Sequence, residues 1–198
     1  MTAGFLGPRP LEDQIEHARG FALAAPRPPA PAELACDLGS GGGLPGLVLA
    51  VDVWPGSRWV LLEGMTKRAE LLAWAVEELG VAARVSVLHA RAEQVGRPGE
   101  PLRGGCALVT ARAFGAPPVT AEAAAPLLAT GGSLVVSEPP GSEGDRWPQE
   151  GLAPLGLVGA GVVRTERAGY MVLRQDTPCP PEYPRSWKRQ ARHPLFRS

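Results

Sequence analysis

The sequence predicts an α/β protein built on an open, doubly wound, Rossmann-like sheet of seven strands, mostly parallel, with helices on both faces. Three observations carry that reading. From residue 33 onward, short apolar runs alternate with longer helical segments, the pattern of parallel strands joined by crossover helices. The first of these runs passes straight into Gly39-Ser40-Gly41-Gly42-Gly43, a turn that ends a strand and opens a helix. The last two runs are separated only by residues 165–168, too few for a crossover helix but enough for an antiparallel hairpin.

Taken in order, residues 11–25 have helical spacing, with Ile15, Ala18, Ala22 and Leu23 toward a core, and the proline-rich run 26–31 stops that helix. Strands are expected at about 33–38, 58–63, 84–89, 107–110 and 133–138, with two weaker ones near 157–164 and 168–174. Helices fall at 44–51, 67–79, a short turn near Ala92, and 118–128. The 67–79 segment carries the clearest signals: Thr66 can cap its amide donors, Leu71, Leu72, Ala75, Val76 and Leu79 form an apolar face, and Gly80 can close it. The expected division is a helical segment and proline-rich linker over 1–32, the sheet domain over 33–176 and a basic tail over 177–198.

At 198 residues and 20.7 kDa the chain favours one core. Hydrophobic residues at 44% and charged residues at 20% exclude a disordered acidic chain and a coiled coil. Gly 25 and Pro 22 punctuate apolar segments without a repeat, so they read as turns and not as a collagen-like or low-complexity chain. Twenty Lys and Arg against twenty Asp and Glu give no net charge, which excludes a protein that coats nucleic acid through bulk charge. Any RNA contact must then be local. Arg185, Lys188, Arg189, Arg192 and Arg197 lie in a stretch without an opposing acid; it can meet phosphates or be a solvated, partly disordered tail.

Cys36, Cys106 and Cys179 are far apart, odd in number and outside any C-x-x-C or Cys/His cluster, so neither disulfides nor a metal site is expected. The N-terminus has no basic region followed by an apolar core, and the apolar stretch 44–53 is short and holds Asp52. A reducing, cytoplasmic setting without membrane contact follows as the expectation.

A glycine turn at a strand end brings backbone amides against a ligand and offers the amino end of the next helix, which suits a nucleotide-like molecule. The same loop can serve only to pack helix on strand. A phosphate loop of NTPase type needs a Lys after its glycines, and none follows here. Residues 41–46 match G-x-G-x-x-G literally, but that match starts beyond the strand end, whereas Gly39-x-Gly41-x-Gly43 sits where S-adenosylmethionine enzymes place theirs. Twenty positions after Gly43, Glu63 closes the second strand, where a carboxylate can accept hydrogen bonds from both ribose hydroxyls, or can serve only as an acid ahead of a helix. His89-Ala90-Arg91-Ala92-Glu93 follows the third strand, where backbone groups at Ala92 can read an adenine edge; Glu93 can instead be only a surface helix residue, and His89 reads as a strand-end packing residue.

Four segments in order carry a resemblance: Asp37-Leu38-Gly39-Ser40-Gly41-Gly42-Gly43-Leu44-Pro45-Gly46, then Leu61-Leu62-Glu63 with Lys67-Arg68, then Arg91-Ala92-Glu93, then Ala111-Arg112-Ala113-Phe114. Together they resemble the bacterial 16S ribosomal RNA 7-methylguanosine methyltransferases, the glucose-inhibited division protein B family. The flanks Leu6-Gly7-Pro8-Arg9, Glu16-His17, Tyr183-Pro184-Arg185, Lys188-Arg189 and Pro194-Leu195 are similar to that family too. The resemblance implies a class I S-adenosylmethionine-dependent methyltransferase fold. It also implies a cofactor site at Asp37, Gly39, Ser40, Gly41, Gly43, Glu63, Ala92, Glu93 and Arg112, with Arg112 facing the methyl-transfer cavity. The implied partner is 16S rRNA or the 30S subunit, met by Lys67, Arg68, Arg185, Lys188, Arg189 and Arg192.

Guanine N7 suits a site without a strong base, because it holds a free lone pair and loses no proton on methylation; positioning and electrostatics then supply the catalysis. Exocyclic amine methylation is disfavoured, since Thr110-Ala111-Arg112-Ala113-Phe114 stands where an Asp/Asn/Ser-Pro-Pro-aromatic segment would. Pyrimidine C5 methylation needs a thiolate at the fourth-strand end, and neither Cys106 nor Cys179 is placed there. Two departures from the family stand out: the sequence starts almost at Leu6-Gly7-Pro8-Arg9, as a shortened member would, and Glu138-Pro139-Pro140-Gly141 replaces the Lys-Gly usual after the fifth strand. They leave open a methyltransferase acting on a small molecule or protein, or a non-catalytic S-adenosylmethionine-binding homologue; a NAD-dependent reductase is the remaining alternative.

Overall fold

The structure is a computed structural model that describes residues 8–197; Leu6 and Gly7 of the N-terminal motif, the start of the expected leader segment and Ser198 lie outside the described residues. Five parallel strands form one side of the sheet: β1 (Leu34–Leu38), β2 (Arg58–Glu63), β3 (Val85–His89), β4 (Cys106–Ala111) and β5 (Leu128–Glu138). The hairpin of β6 (Leu157–Arg164) and β7 (Gly169–Gln175) completes it antiparallel, in the order β3-β2-β1-β4-β5-β7-β6. The expected seven-stranded fold with its reversed end is the one observed. Because β1 pairs with β2 on one side and β4 on the other, the winding direction switches between β1 and β4, which opens a crevice beyond their carboxyl ends.

Successive side chains of a strand point to opposite faces, and the core divides accordingly. Cys36, Leu38, Val109, Leu134 and Val136 face one layer, which packs under α4 (Ala92–Val95), α5 (Pro117–Ala124) and α6 (Gln149–Leu152). Ala35, Leu61, Leu108, Val135 and Val172 face the other, under α1 (Leu11–Ala24) and α3 (Thr66–Glu78). The helix after the glycine turn, α2 (Gly46–Val48), continues as a wider π-type turn over Leu49–Val53.

Tertiary contacts moved several expected details. On α1 the buried set is Gln14, Ala18, Gly20, Phe21 and Ala24, while Leu23 is 74% exposed. The helix is turned this way because it lies on Tyr170 of β7, whose hydroxyl donates to the His17 carbonyl at 2.7 Å and whose ring meets Phe21 edge-on at 4.9 Å. Only a residue without a side chain permits that approach: a Cβ at Gly20 would overlap the Tyr170 hydroxyl. Thr66 does not cap α3; it is the first helical residue, Met65 holds the cap position, and Glu63 accepts from the Met65 amide at 2.8 Å. Gly80 does close that helix, its amide donating to Glu77 at 2.9 Å. Strand β5 begins at Leu128, so the preceding helix ends at Ala124 and a 3-10 turn fills Ala125–Leu127.

The basic tail is folded onto the domain. Arg103 donates to the carbonyls of Cys179 (2.7 Å), Pro180 (3.0 Å) and Tyr183 (2.8 Å), and Phe196 is buried in the layer that holds Leu152. Arg185, expected to meet phosphate, instead grips buried Glu122 with Nε at 2.8 Å and Nη2 at 2.6 Å, and its backbone amide donates to the same carboxylate at 2.8 Å. The forked geometry satisfies a carboxylate that is 1% exposed, so this cation belongs to the scaffold and not to an RNA surface. It also sets the start of α7 (Trp187–Arg192), a helix the sequence pattern did not announce.

Replacing Glu122 with Ala leaves Arg185 without its partner and should destabilise the protein by about 3–5 kcal/mol in urea denaturation; a loss under about 1 kcal/mol, the range of exposed pairs, would contradict the scaffold role.

Candidate active site

The carboxyl end of β1 is organised around Asp37. Its side chain is fully buried, with Oδ1 accepting from the Thr110 hydroxyl at 2.7 Å and Oδ2 from the Gly46 amide at 3.1 Å. One carboxylate thus ties β1 to β4 and to the first residue of α2. Burial pushes the Asp37 carboxyl up to about 6, against the opposing pull of Thr110, Gly46, Ser40 and the Arg112 charge. Ser40 turns its hydroxyl back to the Asp37 carbonyl at 2.9 Å, and the Gly41 amide donates to Glu63 at 2.9 Å. Glu63, 5% exposed, therefore receives one amide on each oxygen, from Gly41 and Met65, and keeps a second acceptor direction on each.

Two cavities open beyond these strand ends. The first holds about 370 Å³ and is lined by Leu38, Gly39, Leu62, Glu63, Gly64, Met65, Arg68, Ala90 to Glu93, Ala113, Phe114 and Trp187. The second, about 570 Å³, has walls from Arg9, His17, the Ala113 to Gly115 turn, Glu138 to Gly141, Arg146, Trp147 and the β6–β7 hairpin at 164–169. Ala113 and Phe114 belong to both walls. Ala113 has φ of 53°, the one non-glycine residue in the left-handed region among those described, so the chain is strained where the two cavities meet.

In the second cavity Glu138 is held by Trp147 Nε1 at 3.0 Å, by Ser142 and by Arg146 at 3.5 Å. The anion that replaces the expected Lys-Gly thereby fixes a cation, Arg146, in the same wall. Burial, then the charges of Arg112 and Arg9, lower His17 to about 4, so its ring is neutral near pH 7.

Residues 25–138 match the family described as rRNA small subunit methyltransferase G. Proteins of that name from Parasynechococcus marenigrum and Salinispora arenicola are 35% and 37% identical over 178 residues, covering 85% and 88% of this chain and 70% and 71% of theirs. The chain belongs to the rRNA small subunit methyltransferase G family. It spans a smaller share, 64%, of the Rubrobacter xylanophilus relative, which is 36% identical. Among solved structures, an RNA methyltransferase from Salinibacter ruber in complex with S-adenosylhomocysteine superposes with TM-score 0.59 at 18% identity, over 88% of this chain and 97% of that one. A mutant of MtNAS in complex with S-adenosylmethionine superposes with TM-score 0.61 at 19% identity, over 85% of this chain and 63% of its own. The fold is that of S-adenosylmethionine-dependent methyltransferases, and the methyltransferase family supplies the reaction class with that cofactor.

The residues present fit such a cofactor. Gly39 has φ of 70°, and a Cβ there would stand 2.6 Å from the Phe114 ring, so the loop crosses the cavity floor only as glycine. Glu63, Ala92 and Glu93 share that cavity with Gly39, as the sequence grouped them. The other expected cofactor residues act from behind it. Gly43 and Ser40 are buried and shape the turn, Gly41 couples the turn to Glu63, and Asp37 has its oxygens taken up by protein donors.

Arg112, expected to face the methyl-transfer cavity, lines neither cavity. It is half-buried under α1, where its Nη2 donates to Gln14 at 3.3 Å, and burial followed by the Arg9 charge lowers its pKa. It is held there because Ala113 turns the chain sharply just after it. Arg68 lines the first cavity, whereas Lys67, Lys188, Arg189 and Arg192 are exposed. Cys36 and Cys106 are buried, and burial pushes the Cys179 thiol up to about 12. No group of three or more metal-ligating side chains occurs among the described residues, and none of their helices is long and apolar enough to cross a membrane. Arg9, His17, Phe114 and Trp187 were not singled out as site residues; only their places in the family-like flanks or turns pointed to them.

Gly39→Ala should force the Phe114 ring aside at a cost of about 1–3 kcal/mol and weaken S-adenosylhomocysteine binding in calorimetry; unaltered affinity would remove the loop from the site. The raised Asp37 carboxyl gives stability that is complete below about pH 4 and lost as pH rises through about 6. Urea denaturation of wild type relative to Asp37→Asn should therefore move against the wild type by roughly 2–3 kcal/mol between pH 4 and 7.5. A difference independent of pH would show that the carboxyl does not titrate as its burial implies.

Proposed function

We propose that the chain transfers the methyl group of S-adenosylmethionine to guanine N7 in 16S rRNA, in the cytoplasm. The observation that carries this reading is the pair of cavities meeting at Ala113-Phe114, one lined by Gly39, Glu63, Ala92 and Glu93 and one with a wall of mixed charge. Gly39, Glu63, Ala92 and Glu93 would hold the cofactor, whose sulfonium supplies an electrophilic methyl group.

The work left to the protein is placement. Guanine N7 offers its lone pair without losing a proton, so no general base is required, and His17, neutral near pH 7, need not act as one. Transfer would form the N7–carbon bond as the carbon–sulfur bond of the donor breaks, leaving the positive charge on the purine, so the protein's part would be to hold N7 in line with the methyl group. Glu138 and Glu166 line the acceptor cavity beside Arg9, Arg146, Arg164 and Arg167, so its lining carries more positive than negative charge, as a site that receives an RNA strand would. Arg9 and Arg146 in the same wall suit the phosphates flanking the target base. Arg112 adds its charge from behind, next to His17, and holds α1 through Gln14, so we assign it a positioning role.

A second reading, a small-molecule or protein acceptor, is favoured by one feature. Of the six cations expected to meet RNA, Arg185 is committed to Glu122 and Arg68 to the cofactor cavity wall.

Labelled methyl should pass from S-adenosylmethionine to 30S subunits or naked 16S RNA at low salt, and the product strand should break at a single guanosine after borohydride reduction and aniline treatment, as an N7-methylated base does. Label in RNA without such cleavage would defeat the N7 assignment. Binding of S-adenosylmethionine without transfer to either RNA substrate would favour the second reading.

A further inference from the structure

The tail carries a large aromatic ring to the cofactor cavity. Trp187 opens α7, is 42% exposed, and lines the cavity that contains Glu63, Ala92 and Glu93, not the acceptor cavity. A partly exposed indole offers a large, rigid face to a flat ligand.

Its position is fixed from both sides. Two residues earlier, Arg185 forks onto buried Glu122, and three residues later Gln190, 2% exposed, donates to the Arg185 carbonyl at 2.7 Å. Further along, Phe196 is buried in the core layer. A six-residue helix on the surface has no stability of its own, so these anchors hold the ring where it is. A rigid aromatic face in the wall of a pocket of nucleoside size, a wall that also includes Met65, Ala92 and Glu93 after the second and third strands, suits a purine ring.

We propose that Trp187 is a cofactor-binding residue that stacks on the adenine of the methyl donor and of its demethylated product, so that the C-terminal tail completes the cofactor site. This rests on the reading of the first cavity as the S-adenosylmethionine site. The ring contributes apolar contact over the base, while Glu63 holds the sugar and the glycine turn holds the rest. The competing occupant is an RNA base, which would meet the exposed side of the same ring.

The test uses the full chain as wild type, Trp187→Ala and Trp187→Phe, with ligand-free urea denaturation confirming that each folds. Calorimetry with S-adenosylhomocysteine and separately with adenosine should show roughly tenfold or greater weakening for Trp187→Ala with both ligands, and recovery to within about threefold for Trp187→Phe. Tryptophan emission should change when S-adenosylhomocysteine binds wild type, and a large part of that change should vanish in Trp187→Phe. Wild-type binding with unchanged affinity in Trp187→Ala would overturn the stacking while leaving the cofactor reading intact. Unchanged S-adenosylhomocysteine affinity together with weaker 16S RNA binding would reassign the ring to RNA. Failure of the wild type to bind S-adenosylhomocysteine at all would overturn the cofactor reading and the stacking with it.

Discussion

The site depends on a carboxylate buried where β1 ends. Asp37 accepts from β4 through Thr110 and from the start of α2 through Gly46, so the two strands that flank the switch point and the helix that leaves it are fixed to one another. Burying that group is costly, as the raised pKa records, and hydrogen bonds to both oxygens offset the cost only in part. The expense sits where the sheet's winding direction switches and the crevice beyond the strand ends opens. A hydrophobic residue there would remove the penalty, but it would also release the turn that carries Gly39 and the amide of Gly41 that reaches Glu63.

What the sequence made legible was local in origin. The β1–turn–α2 unit, Glu63 at the end of β2, and Ala92-Glu93 after β3 could be located in the fold from the sequence, since each lies at a strand end or in the turn that succeeds it. The seven strands and the reversed hairpin followed for the same reason. Features decided by distant partners were not legible. The rotation of α1 is set by Tyr170, whose bond to His17 joins residues 153 apart, and a helical apolar pattern containing Leu23 could not anticipate it. Thr66 looked like a cap until Glu63, an acid with two tasks, took the Met65 amide.

Charge was the least transferable part of the sequence reading, because a basic residue discloses its sign and not its partner. Arg185 belonged to an apparently unopposed run, yet its acid, Glu122, lies 63 positions earlier. Glu138 looked like the loss of a cation, but its carboxylate holds Arg146 in the wall of the second cavity. Arg112 is the subtler case: the segment 111–114 marked the right turn, but the backbone reversal at Ala113, for which alanine has no sequence signature, put the guanidinium behind the wall and Phe114 in it.

Phe114 has a consequence that neither cavity has alone. One ring forms part of both walls and rests against Gly39, so it has no position that concerns a single occupant. A molecule on one side that shifts the ring changes the shape offered on the other, and thermodynamic linkage makes that influence mutual. The two cavities are thus separated, at this point, by the thickness of one benzene ring.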